Sequence, residues 1–164
     1  MTTVRPAVPA DLPLLGPLED TGDAQFAERF GDLDWPPADS GEERAAQPGF
    51  LLVATEDEEV VGFAHVLHLA GHWHLEQLSV DPVRQRRGHG AALLDAVAAE
   101  VRRRGGLELT LRTYADVPWN GPWYARHGWV EVADPAWHAG LLVAEDRMDL
   151  PRHGRRIAMH LDLR

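Results

Sequence analysis

The chain has 164 residues, a formal net charge of −10 and no cysteine. With 45% hydrophobic residues, that length builds one globular domain over residues 1–164. Disulfides, thiolate metal sites and a cysteine nucleophile are therefore excluded, and the acidic balance argues against sequence-independent nucleic-acid binding.

No apolar run reaches the roughly 18 residues of a membrane span. The segment MTTVRPAVPADLP lacks the apolar core of a signal peptide. A cytoplasmic protein without a membrane or nucleic-acid partner is expected. Thr2–Pro6 reads as a short strand. Asp11 is a candidate N-cap for a helix over Leu12–Leu18, kept short by Pro13 and Pro17. A second helix is predicted over Asp23–Phe30, with Phe26 and Phe30 on one face and Gly31 behind it. Residues 32–49 are rich in Pro, Asp, Glu and Gly and read as a loop. Within it, Trp35 either covers a substrate or packs back onto the core.

Phe50–Thr55, Val60–Leu69 and His72–Val80 read as three strands joined by short turns, an antiparallel meander. After Asp81-Pro82 the period changes. Leu94, Val97, Ala98 and Val101 repeat at helical spacing, and Gly105-Gly106 ends that helix. Leu107, Leu109 and Leu111 then alternate with polar residues. A strand–helix–strand crossover makes this strand parallel to the one before it. Downstream, Asn120 is placed to cap a short helix ending before Gly128, and Trp129–Val132 is a short strand. Asp134-Pro135 is placed to start a helix of about three turns, and Ile157, Met159, Leu161 and Leu163 mark a last half-buried strand.

The turn before the long helix carries the chemistry. It reads Arg84-Gln85-Arg86-Arg87-Gly88-His89-Gly90. The first N–H groups of a helix lack intrahelical partners and sit at the positive end of its dipole. Gly88 permits a positive φ, and Gly90 withholds a side chain from the space a phosphate needs. Arg84, Arg86 and Arg87 add cations in an otherwise acidic chain, which points to a specific anion. A dinucleotide fingerprint is excluded because Leu93 stands where its third glycine belongs, and no Gly-Lys-Ser/Thr of a Walker loop occurs.

This segment resembles the acetyl-CoA signature of the GCN5-related N-acetyltransferase (GNAT) superfamily. That signature is Gln/Arg-x-x-Gly-x-Gly/Ala after a strand ending in Val-x-Pro, here Gln85 to Gly90 after Val80-Asp81-Pro82. A second signature is similar around Tyr124, which precedes Gly128-Trp129 at the family spacing. Asn120 stands closer to Tyr124 than the common form has it, and Pro122 interrupts the first turn. The resemblance implies an α+β fold with a mixed, mostly antiparallel sheet flanked by helices and a splayed strand pair that binds acetyl-CoA.

It also implies acetyl transfer from acetyl-CoA, as cosubstrate, to a primary amine of a small molecule or peptide by direct attack. Backbone groups of Leu78, Ser79 and Val80 would hold pantetheine as an added strand. Gln85, Arg86, Arg87, Gly88, His89, Gly90 and Ala91 would cradle the pyrophosphate, and Asn120 belongs to the cofactor side. Tyr124 is the candidate acid for the leaving thiolate. For the base, Glu76 ranks ahead of His74; the two share a strand face. His72 and His74 with His65 or His68 have zinc-ligand chemistry, but no third-ligand or carboxylate spacing supports a metal, and none is expected. The alternative function is an acyl-CoA-sensing module without turnover, which needs Gly88 and Gly90 but not Tyr124. The acceptor pocket is expected from residues 20–48 and 134–156. Oligomeric state leaves no mark in the sequence, and a homodimer stays open.

Overall fold

The computed structural model describes residues 1–164. One seven-stranded sheet runs through the molecule in the order β1-β2-β3-β4-β5-β7-β6. Its strands are β1 Thr2–Pro6, β2 Gly49–Glu56, β3 Glu59–Leu69, β4 His72–Val80, β5 Glu108–Tyr114, β6 Val130–Val132 and β7 Arg156–Asp162. All neighbours are antiparallel except β4 and β5, which are parallel. The helices are α1 Leu12–Phe30, α2 Gly41–Ala45, α3 His89–Arg103, α4 Gly121–Arg126 and α5 Ala139–Arg147. The architecture is the mixed, mostly antiparallel α+β sheet expected. No helix is long and apolar enough to cross a membrane.

Strand alternation divides the core. Leu52 and Ala54 of β2 face α3, where they meet Leu93, Leu94, Val97 and Val101 in the larger apolar cluster. Leu51 and Val53, one residue out of phase, face the other way and pack with Phe63 and Leu15 of α1. Full burial of each such side chain contributes about 1.5–3 kcal/mol. The sheet is thus clamped between α1 and α3, and both helices are fixed by residues on alternate sides of the same strands.

Three predicted elements differ. The two short helices expected before residue 31 are one helix of 19 residues, with Pro17 inside it. Pro17 removes one backbone donor, but Leu15 and Gly16 beside it are buried, and that tertiary packing carries the helix across the break. Asp11 makes no cap bond. Its carboxylate instead takes the Arg5 guanidinium at 2.7 Å and the Val8 N–H at 2.8 Å. The expected loop at 32–49 contains α2, started by Ser40, whose hydroxyl accepts from the Glu43 N–H at 3.0 Å. Asp134-Pro135 leads into a 3₁₀ turn at Ala136–His138, so α5 begins only at Ala139.

A β-bulge positions the site. On β4, Leu75 pairs with Val66 and Gln77 with His65, which leaves Glu76 as an extra residue. Bulges bend the strand and strengthen its twist. The β4–β5 ladder holds only His74 to Thr110 and Leu75 to Leu111, then stops. Past the bulge the two strands part, and the edge of β4 from Glu76 to Val80 is left without a partner on that side.

Candidate active site

Two cavities open along the split between β4 and β5. The first, about 600 Å³, is lined by Leu78, Ser79 and Val80 of β4, by Gln85, Arg86 and residues 88–91 of the following turn, and by Trp119, Asn120, Trp123 and Tyr124. The second, about 320 Å³, is lined by Glu76, His74, Arg112, Glu145, residues of α1 and Trp35. Glu19, Asp23, Phe26, Gln77, Leu78, Asn120 and Tyr124 line both. The cavities therefore meet at the split, with Tyr124 at the junction.

The first cavity ends in an anion cradle. Gly88 has φ 86° and Arg86 φ 63°, so left-handed residues alternate along the turn and aim successive amides to one side. The backbone N–H groups from Arg86 to Ala91 have no hydrogen-bond partner within the protein. All of these residues but Arg87 line the cavity, at the N-terminus of the 15-residue α3. The side chain of Gln85 is tied to α1 by paired amide bonds with Gln25 at 2.9 and 3.2 Å.

The arginine cluster resolves differently from the expectation. Arg84 bonds Glu56 at 2.8 Å and Glu59 at 2.7 Å, and Arg87 bonds Glu56 at 3.0 Å. Arg87 does not line the cavity. Only Arg86 lacks a carboxylate partner. Sequence spacing places three cations on one turn but does not show that Glu56 and Glu59, at the β2–β3 turn, neutralise two of them. Arg86→Ala is accordingly expected to weaken coenzyme A binding, whereas Arg84→Ala changes it much less. Titration calorimetry at two salt concentrations checks this, since the Arg86 contribution falls as ions screen it.

His89 turns its ring away from the turn. It is buried, and its Nδ1 shares a hydrogen with the Thr2 hydroxyl at 2.8 Å. Gly90, which lines the cavity, has a second constraint beside the one expected. A Cβ there would lie 3.1 Å from Trp123 Cζ2, so the missing side chain makes room for the indole. Asn120 precedes α4 but makes no cap bond; its Oδ1 accepts from the Tyr114 N–H at 3.4 Å.

The second cavity is acidic. Arg44 bonds Glu19 at 2.5 Å, and Glu145 bonds Arg112 at 2.6 Å and Arg156 at 2.8 Å. Asp23, Asp39 and Glu76 line the same space without an arginine partner. Burial, then Glu19 and Asp20, push Asp23 up to about 7. Glu76 is likewise pushed up to about 7, mainly by burial. Its side chain is 37% exposed, and it lines the cavity. A recess admits water yet surrounds the carboxylate with protein, so exposure and a raised pKa coexist.

His74 lies 3.9 Å from Glu76, Nε2 to Oε2. It is buried and driven down to about 3, chiefly by burial and then by His138 and Arg112. The two side chains paired by the sequence are thus separated by their titration. Tyr124 makes no hydrogen bond through its hydroxyl, and burial raises its pKa. Tyr114, the other tyrosine, donates to the Leu150 carbonyl at 2.9 Å and is committed to structure.

Residues 20–48 and 134–156 both send side chains into the second cavity. Trp35 packs against Phe26 with ring centroids 5.5 Å apart and also lines this space. Sequence reasoning did not single out Glu19, Asp23, Asp39 or Arg44. They carry no motif, and only the unbroken α1 brings the first two to the split. It also missed Thr110 and His138, for which a period-two strand and a Trp-His pair gave no chemical signal.

Comparison with known proteins agrees with this geometry. A profile described as "Acetyltransferase (GNAT) family" matches residues 19–129. N-acetylglutamate synthase from Neisseria gonorrhoeae, solved with coenzyme A and N-acetyl-glutamate, superposes with TM-score 0.71 at 19% identity. That match covers 100% of this chain, which spans only 35% of the synthase's length. The ribosomal-protein-S18-alanine N-acetyltransferase from Escherichia coli gives TM-score 0.65 at 22% identity over 99% of this chain and 94% of its own. The PaiA N-acetyltransferase from Thermoplasma acidophilum, solved with coenzyme A, gives 0.68 at 14% over 99% of each. Such identities carry the fold and no substrate. The profile spans α1's second half, the bulged β4, the anion turn and Tyr124, and on that match the chain belongs to the acetyltransferase (GNAT) family.

Proposed function

We propose that the protein is an N-acetyltransferase that moves an acetyl group from acetyl-CoA to a primary amine of a small molecule or peptide by direct attack. The observation that carries this is the junction of the two cavities. One ends in unpaired backbone amides at a helix N-terminus, suited to pyrophosphate. The other holds carboxylates without cationic partners, suited to an ammonium group. The free edge of β4 at Leu78, Ser79 and Val80 offers pantetheine the hydrogen bonds of an added strand, and it leads the thioester to Glu76 and Tyr124.

In this reading Glu76 is the base. A group with pKa near 7 is ionised enough to accept a proton at neutral pH and basic enough to keep it. His74, at about 3, holds a proton too weakly for that role. Glu76 takes one proton from the ammonium, directly or through water. The neutral amine attacks the thioester carbonyl, and the C–S bond breaks as the C–N bond is completed. The attacking nitrogen sheds a second proton as the amide forms; Tyr124 gives its hydroxyl proton to the leaving thiolate and recovers one from that nitrogen through water, and Glu76 releases its proton to solvent. The raised pKa of Tyr124 keeps its hydroxyl protonated until the thiolate leaves.

Asp23 and Asp39 favour a cationic acceptor over a neutral one. Free-thiol release from acetyl-CoA across a panel of amines tests the proposal. Turnover is expected to be fastest with amines bearing a second positive charge. Tight coenzyme A binding with no thiol release from any amine points instead to a sensing module.

A further inference from the structure

Beneath Glu76 runs a line of buried polar side chains that no catalytic role above uses. His74 Nδ1 lies 2.8 Å from the Thr110 hydroxyl. That hydroxyl lies 3.1 Å from His138 Nε2. His138 Nδ1 lies 3.3 Å from Asp134 Oδ1, and Asp134 is paired with Arg112. His74, Thr110 and His138 are all buried. Trp137 packs edge-on against both imidazoles, 5.7 Å from His74 and 4.2 Å from His138.

The direction of each hydrogen bond follows from the far end. The Asp134 carboxylate, already accepting from Arg112, can only accept. His138 Nδ1 therefore carries a hydrogen and donates it. Burial lowers the His138 pKa, which keeps the ring neutral, so its Nε2 is a bare acceptor. The Thr110 hydroxyl has one hydrogen and gives it to that nitrogen. Its oxygen must then accept from His74 Nδ1. His74 is left with an unprotonated Nε2, and this is the atom that faces Glu76 across 3.9 Å. Arg112 and Glu145 face the same line from β5 and α5, and neither reaches that nitrogen.

We infer that His74 is a hydrogen-bond acceptor for the substrate amine, and that Thr110, His138 and Asp134 are positioning residues that lock it in the Nδ1–H tautomer. The inference rests on the acetyl-transfer reading of the cleft. Glu76 Oε2 and His74 Nε2 converge on one point, where an ammonium donates to both. One proton passes from the amine to Glu76, and the N–H aimed at His74 stays in place. That bond orients the nitrogen lone pair, and no bond to His74 is made or broken. The opposite tautomer would aim a hydrogen at the amine and repel it.

Long-range proton–nitrogen correlation spectra of protein labelled with ¹⁵N-histidine read the tautomer directly. The wild-type protein is expected to show His74 as Nδ1–H. Thr110→Val keeps the shape and removes the hydroxyl; it should mix the two tautomers and lower kcat/KM for the amine by about tenfold or more, the worth of one hydrogen bond to a charged group. KM for acetyl-CoA should not change, and Thr110→Ser should restore tautomer and rate together. A wild-type spectrum with Nε2–H at His74 overturns the inference, as does a Thr110→Val protein with an unchanged tautomer. If the tautomer is as inferred and no amine is acetylated, the spectrum upholds the lock and the failure counts against acetyl transfer alone.

Discussion

Glu76→Gln is expected to slow acetylation by about 10²–10⁴-fold, the usual worth of a placed base, while coenzyme A affinity stays the same. The substitution keeps the shape of the side chain and removes its basicity. In the wild-type enzyme the rate should rise with pH through about 7, where Glu76 ionises, and then level off. The variant should lose that limb and follow the pKa of the free amine. Stopped assays at saturating acetyl-CoA across the pH range give both profiles. If Glu76→Gln keeps the wild-type rate and profile, the amine reaches the site already neutral and Glu76 is not the base.

The same substitution has an opposite effect on folding. Glu76 has an ordinary pKa of 4.5 and is raised to about 7 in the folded protein. The folded state thus holds this proton more firmly than the unfolded chain. Its contribution to stability is present below the ordinary value and is lost as pH rises through the folded value. Glutamine does not titrate, so Tm of Glu76→Gln should gain on the wild type as pH rises across that interval. Asp23 is raised in the same way and steepens the wild-type decline.

Tyr124→Phe is expected to reduce turnover by about 10²–10⁴-fold with little change in acetyl-CoA binding. The hydroxyl has no partner within the protein, so its loss leaves no orphaned group. The ring keeps its edge contacts with Trp123 and Trp129, at centroid distances of 5.1 and 5.9 Å. A change in turnover can then be assigned to the proton and not to packing. A good leaving group should partly rescue the variant, because a stable thiolate needs no acid. Thiol release within about twofold of wild type would show that the proton comes from water.

Much of this fold was legible because its signals are local. Period-two alternation marks β5 and β7, and the change of period after Asp81-Pro82 marks α3. Gly88 announces the left-handed residue before that helix, at φ 86°. The errors fall where distant packing decides. Pro17 looks like a helix end from its own chemistry, yet burial of Leu15 and Gly16 carries α1 through it. Arg84 and Arg87 look like unpaired cations until Glu56 folds back beside them. At the site, Tyr124 and Gln85–Gly90 were visible through spacing along the chain. Asp23, Arg44 and His138 were not, because they come near Glu76 only once the chain is folded. The separate fates of His74 and Glu76 were equally hidden, since depth of burial sets them apart and sequence spacing does not report it.

The extra residue at Glu76 also says something about how this chain can vary. Leu75 pairs with Val66 and Gln77 with His65, so deleting position 76 alone would join two stretches already in register with β3. No side chain of β4 would have to change faces. The ladder would close into a regular sheet, and β4 could run on beside β5 where the cleft now opens. A single-codon loss here would thus remove the base and the bend together while keeping the pairing with β3.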